Sequence, residues 1–212
     1  MATTTTEFEI KAVAPPIEEV SEILVGFGPA SIEEQEDVYY DVPSGSLFEF
    51  GVFLRIRDSA NLDVKFNPDT DDFEHVACEE TRFFLPIQAG ELSQLRAFLS
   101  QFGVVKEGSF LSLEEFFEAV DLKPWVRIVK HRKIYRRPGA EFCVDDVEGL
   151  GTFVEIESAD AATANYYTKW ANSQGLVNLP VGYVELFLRK HDWETYKRGR
   201  YQLPEDREPT GS

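Results

Sequence analysis

The 212-residue chain has little of what several protein classes require. It has two cysteines, Cys78 and Cys143, and neither stands in a CxxC pair, which excludes a zinc-ribbon site or a disulfide framework on count. No apolar run approaches the ~18 residues of a membrane-spanning helix. The opening Met1-Ala2-Thr3-Thr4-Thr5-Thr6 has neither a charged nor an apolar signal region, so no secretory signal is expected. The three histidines, His75, His131 and His191, lack metal-ligand spacing. Basic residues are scarce: 21 Lys and Arg against 38 Asp and Glu leave a net charge of -17. A surface that acidic repels nucleic acid and anionic lipid, so neither is expected as a partner. The cysteine usage fits a reducing, cytoplasmic setting.

What remains is a chain that is 43% hydrophobic, enough for one core. Residues 1–200 read as a single domain, and 201–212, polar with two prolines, as a flexible tail. Glu7 to Val13 alternates charged and apolar residues, as a strand does, and Pro15-Pro16 ends it. Further strands are expected at Val38–Asp41, Val52–Arg57, Leu62–Phe66, Val76–Leu85, Trp125–Tyr135, Glu141–Val147 and Thr152–Ser158. Helices are expected from Ile17 to Gly26, from Leu92 to Gly103, around Phe116, from Asp160 to Gly175, and as one last helix from Tyr183 past Trp193. Asp69, Asp71 and Asp72 belong to a solvated loop without EF-hand spacing. Gly149 and Gly151 are turn residues, not a phosphate-cradling loop. Eight strands joined mostly by short turns imply an antiparallel sheet, and eight can close into a barrel.

The alternation carries the chemistry. Glu7, Glu9 and Lys11 share a face, as do Arg55 and Arg57, Asp63 and Lys65, Lys130 and Arg132, and Glu155 and Glu157. The opposite faces carry Phe8, Ile10, Leu54, Ile56, Val64, Val129, Val154 and Ile156, which must be buried. The charged faces therefore either meet water from an open sheet or line a closed one; the pattern alone allows both. Clustered Arg and Lys opposite paired carboxylates suit a polyanion gripped by cations, with a divalent metal between it and the acids. Oxygen-only ligands imply Mg²⁺ or Mn²⁺.

Glu7-x-Glu9-x-Lys11, Leu54-Arg55-Ile56-Arg57, Lys65, Lys130-x-Arg132-x-x-Tyr135, the run from Asp145 through Gly149-Leu150-Gly151 to Glu155-Ile156-Glu157, and Gly182-Tyr183-Val184-Glu185-Leu186 together resemble the CYTH superfamily, the triphosphate tunnel metalloenzymes. The resemblance spans residues 7 to 190. It implies an α+β fold: a closed eight-stranded antiparallel barrel, or tunnel, with helices packed outside. It implies phosphate binding by Arg55, Arg57, Lys65, Lys130 and Arg132, with Lys190 as a late addition. Glu7, Glu9, Asp145, Glu155, Glu157 and one of Glu79 or Glu80, with Glu80 preferred because it shares Arg82's face, would hold the metal. Lys11, Lys65 and Asp145 would take part in catalysis. The implied activity is metal-dependent hydrolysis of a small triphosphate: inorganic triphosphate, thiamine triphosphate or a nucleoside triphosphate. The alternatives are a class IV type adenylyl cyclase and a non-catalytic polyphosphate-binding module. The protein is expected to be a monomer or homodimer.

Overall fold

Residues 2–14, 17–24, 26, 31–69 and 77–207 are described by the structure, a computed structural model of the whole chain. The expectations placed on Pro15-Pro16, Asp71, Asp72, His75 and Val76 lie outside the described residues. In chain order the elements are β1 (Thr3–Val13), α1 (Ile17–Ile23), β2 (Ser31–Asp41), α2 (Ser46–Glu49), β3 (Val52–Arg57), β4 (Asn61–Phe66), β5 (Ala77–Phe84), α3 (Ala89–Ser100), α4 (Leu113–Ala119), β6 (Lys123–Arg137), β7 (Ala140–Val147), β8 (Gly151–Ser158), α5 (Ala161–Ser173), β9 (Val177–Leu179), α6 (Tyr183–His191) and α7 (Trp193–Arg198).

Eight of these strands close an antiparallel barrel in the order β5-β4-β3-β2-β6-β7-β8-β1, with β1 pairing back onto β5. β1 makes closure possible by dividing its length. Thr3–Phe8 pairs with β5, while Phe8–Val13 pairs with β8 on its other edge. The edge beyond Phe8 would be bare, and the short β9, a strand the sequence pattern did not reveal, covers Lys11–Val13. The β3–β4 hairpin turns through Asp58 and Ser59, both in the left-handed region (φ 51° and 54°). Consecutive positive φ values give a turn whose twist matches the strands it joins.

The outward apolar faces of the strands are covered as the alternation requires. α3 and α4 bury Leu54, Leu62, Val64 and Phe83. Elements α1 and α5 cover Ile10, Ala12, Phe142, Val144, Val154 and Ile156. A third cluster has a different origin. Tyr39, Phe53, Ile128, Val147 and Phe153 stand at inward-facing positions of their strands, yet they pack with Tyr183, Val184 and Leu188 of α6 and with Tyr196 and Tyr201. At that end the barrel interior is an aromatic plug, so the bore is blind.

Several boundaries differ from expectation: β1 starts at Thr3, β2 at Ser31 instead of Val38, and β6 runs from Lys123 to Arg137. The last helix is broken at Asp192, whose carboxylate accepts from the Thr195 backbone N–H and starts α7. The tail does not begin as a loose segment: Tyr201 is fully buried, stacked on Phe53, and Leu203 is 4% exposed. Residues 208–212 lie outside the described residues.

Candidate functional site

A cavity of about 330 Å³ occupies the bore, lined by eight cationic and eight anionic side chains from β1, β2, β3, β4, β5, β6, β7, β8 and α6. The period-two alternation places them there, since successive side chains of a strand point to opposite faces. On β1 the inward set is Thr5, Glu7, Glu9 and Lys11. Arg55 and Arg57 come from β3, Lys65 from β4, Lys130 and Arg132 from β6, and Glu155 and Glu157 from β8. Glu80 lines the cavity and Glu79 is exposed, so the choice between them falls on Glu80.

The charges pair across strands, not along them. Lys65 Nζ lies 2.5 Å from Glu9 and 3.1 Å from Glu7. Lys11 Nζ bridges Glu9 and Glu155, the latter at 2.5 Å, and sits 4.3 Å over the Tyr183 ring. Arg132 reaches Glu155 and, at 3.1 Å, Glu157. Arg55 meets Asp63 at 3.1 Å and Glu80 at 3.3 Å.

Burial and pairing compete in setting the ionisation of these groups. Burial would raise the Glu155 carboxyl, but Lys11, Arg132 and Lys130 overcome it and hold it down at about 2. Glu157 goes the other way, pushed up to about 7 by burial and by Glu7, against the pull of Arg132. Lys130 is lowered by burial and by the neighbouring Arg132. Lys11 is raised despite burial, because Glu155 and Glu9 flank it. The carboxylates Glu7, Glu9, Glu80, Glu155 and Glu157 form a hard, all-oxygen donor set, and the upward push on Glu157 marks a place short of positive charge. Both features fit a divalent cation such as Mg²⁺ or Mn²⁺. At the mouth, Glu141, Cys143 and Glu157 also bring ligand atoms within 4.8 Å of one another.

Two expected site residues stand elsewhere. Lys190 is exposed on α6 and donates to the Gly149 carbonyl at 2.5 Å, outside the bore. A residue seven positions beyond Tyr183 on a helix that plugs the end lies past the plug. Asp145 also points into the barrel, but it is fully buried and does not line the cavity: it accepts from Arg132 Nε at 2.7 Å, Arg132 Nη2 at 2.6 Å and the Tyr183 hydroxyl at 2.8 Å. Its lone pairs are committed to orienting Arg132, which leaves little for a metal.

Sequence reasoning missed Asp37, Tyr183 and Glu185 and left Asp63 and Arg82 out of the set. Asp37, 1% exposed, holds Arg57 in a two-point fork at 2.7 and 2.8 Å. It went unseen because the outward face of β2 carries Glu34, exposed, and Glu36, half-buried, so no apolar alternation betrays the strand. Asp63 plays the matching part for Arg82 at 2.7 Å. The polar period Glu33-x-Gln35-x-Asp37-x-Tyr39 was the available signal.

The family model described as the CYTH domain matches residues 5–167. A Methanocaldococcus jannaschii protein bearing a provisional adenylate cyclase name is 27% identical over 155 residues, covering 72% of this chain and 77% of that protein. A Pyrococcus horikoshii structure superposes with a TM-score of 0.62 at 22% identity, covering 87% of this chain and 99% of that one. A Hippeastrum structure, described as an adenylyl cyclase by name with a dominant triphosphatase activity, gives 0.59 at 16% identity over 96% and 99%.

Proposed function

The chain belongs to the CYTH domain family, whose members act on triphosphates, and from that premise we propose that it is a metal-dependent triphosphate hydrolase. The substrate class is a small triphosphate: inorganic triphosphate, thiamine triphosphate or a nucleoside triphosphate. The observation that carries the reading is the convergence of Lys11, Arg55, Arg57, Lys65, Lys130 and Arg132 with acidic partners in one blind bore. The resting site neutralises itself internally. A triphosphate takes over the cations, and the released carboxylates Glu7, Glu9, Glu80, Glu155 and Glu157 would hold Mg²⁺ or Mn²⁺. A bound cation of that kind supplies charge neutralisation on the phosphate oxygens.

The chain's own groups divide the remaining work. Arg57 and Arg132, fixed by Asp37 and Asp145, present rigid forks to non-bridging oxygens. Lys11 and Lys130, both deep and beside Tyr183, face the end of the phosphate chain that enters first. Charge that builds during phosphoryl transfer meets these preset cations. The relative named for adenylate cyclase supports a second reading, in which ATP cyclises to cyclic AMP and pyrophosphate.

The protein is incubated with Mg²⁺ or Mn²⁺ and, separately, inorganic triphosphate, thiamine triphosphate and ATP, and the products are separated by chromatography. Orthophosphate is the expected product. Cyclic AMP from ATP supports the cyclase, and tight binding without turnover supports a binding module. Glu9→Gln is expected to cut the metal-dependent rate by about 100-fold or more while the melting temperature moves little; an unchanged rate removes Glu9 from the metal set.

A further inference from the structure

A second cavity lies outside the bore and shares none of its lining residues. It is a cleft of about 950 Å³ built by the end of β1, the β7–β8 turn, β9, α6, the start of α7 and the C-terminal segment. Val13, Leu150, Leu179, Leu186 and Trp193 give it apolar walls, and Lys190 lines it with them. A volume of this size is that of a small-molecule site.

Most charges of the cleft are already committed. Arg189 pairs with Asp206 at 2.6 Å and with Glu205 at 3.4 Å. Asp206 also accepts from the Tyr196 hydroxyl at 2.9 Å. Lys190 is the exception: it donates to the Gly149 carbonyl and, among the described residues, meets no carboxylate. A carbonyl takes one donor and leaves the ammonium charge and its other donors available. In a chain of net charge -17, residues 189–200 gather five of the 21 Lys and Arg against two acidic residues. An anion repelled by the body of the protein meets local positive charge here. The apolar surface is just as open. Val13 is 51% and Trp193 45% exposed, so a ligand that covers them removes apolar area from water. Trp193 packs on Tyr196 with ring centroids 5.3 Å apart, which holds it as a wall.

We propose that this cleft is a binding site for a small aromatic anion, its ring against Trp193 and Leu186 and its anionic group on Lys190. The site is separate from the hydrolase reading and takes a different chemical class. One available cation beside apolar walls suits a single charge on a ring, whereas the bore is walled by charges throughout. Helix α6 belongs to both cavities, with Tyr183 in the bore and Leu186 in the cleft.

The probe is anilinonaphthalene sulfonate, an aromatic anion, titrated into the full chain and read by its own fluorescence. One saturable site is expected. Trp193→Ala should weaken it by about 10-fold or more. Lys190→Glu should weaken it roughly 10-fold, since the reversal removes an attraction and adds a repulsion; this exposed position tests the site even if Trp193→Ala does not melt cooperatively. Phenylnaphthylamine, the same rings without the sulfonate, should bind at least about threefold more weakly. Saturating inorganic triphosphate should leave the probe's Kd within about threefold. No saturation below about 1 mM probe, or wild-type affinity in the Lys190→Glu variant, overturns the proposal. Progressive displacement by triphosphate places the probe in the bore and overturns it too. Equal affinity for the uncharged analogue overturns the anionic class. A cleft closed by a second copy would show probe affinity falling as protein concentration rises, which also defeats the idea. None of these readouts needs turnover, so the hydrolase reading stands or falls separately.

Discussion

Asp145 shows how one residue's role turns on the partners its side chain meets. Its place in the run leading to Glu155 and Glu157 makes it look like a metal ligand, but its oxygens are spent on Arg132 and Tyr183. Asp145→Asn should therefore act on stability. Removing one partner of a buried ion pair costs about 3–5 kcal/mol, which urea denaturation would read, while divalent-cation affinity of the folded protein stays unchanged. Lost cation binding at unchanged stability would return Asp145 to the metal set. Arg57 is the complementary case. Its fork to Asp37 is shared, because Arg55 at 3.5 Å and Lys130 at 4.0 Å also face that carboxylate. Arg57→Ala leaves Asp37 compensated, so the fold should hold. Losing a charge-assisted contact of about 1.5–3 kcal/mol should weaken triphosphate binding roughly 10–100-fold by calorimetry. A variant that unfolds instead would make Arg57 structural.

At the scale of elements, the C-terminal segment is part of the barrel's closed end. Tyr201 stacks on Phe53 with ring centroids 6.3 Å apart, and Gly199 lies so close to the Phe48 ring that a Cβ there would stand 2.3 Å from it. Composition marked this segment as a tail because it is short, polar on average and without a period. Two buried residues among polar ones do not make a periodic signal. Tyr201→Ala should destabilise the protein by about 3–5 kcal/mol, as expected for deleting a buried aromatic ring, with a lower denaturant midpoint. A midpoint unmoved by the substitution would mean that the plug holds without it. The strands were legible where an apolar outer face alternated with a charged inner one, as in β1, β3 and β8. The first half of β2 was not, because Glu34 and Glu36 replace that apolar face with a solvated one.

The whole molecule carries a pH dependence with two opposed windows. Asp37, Asp63 and Glu155 are held below their ordinary values: burial works against this, and the neighbouring Arg and Lys residues prevail. Their stabilisation is present above the unfolded carboxylate range and is lost as pH falls from about 4.5 toward about 2 for Glu155. Glu157 and Glu185 are raised by burial to about 7. The folded state then binds more protons than the unfolded one between the ordinary carboxylate range and about 7, so stability declines as pH rises through that interval. The net charge of -17 adds self-repulsion in the same direction. Urea midpoints measured from pH 3 to 8 should peak near about pH 5, and a divalent cation that binds the carboxylates should flatten the decline above the peak. Midpoints that rise steadily to pH 8 would show that the buried carboxylates are not short of positive charge.

The amino-acid sequence by itself determined which side chains share a face. Strand periodicity is a property of the local backbone, and two residues of spacing suffice to read it in Glu7-x-Glu9-x-Lys11 or Arg55-x-Arg57. It could not say whether those faces enclosed a cavity or met open water, because closure rests on β1 returning to β5 about seventy residues later in the chain. Tertiary structure alone decided that, and also that inward positions turn from charged to aromatic at one end, that Asp145 is spent on Arg132 and Tyr183 below the cavity, and that Lys190 lies beyond the plug. Each depends on which distant segment fills the space beside a side chain, and local alternation carries no information about distance.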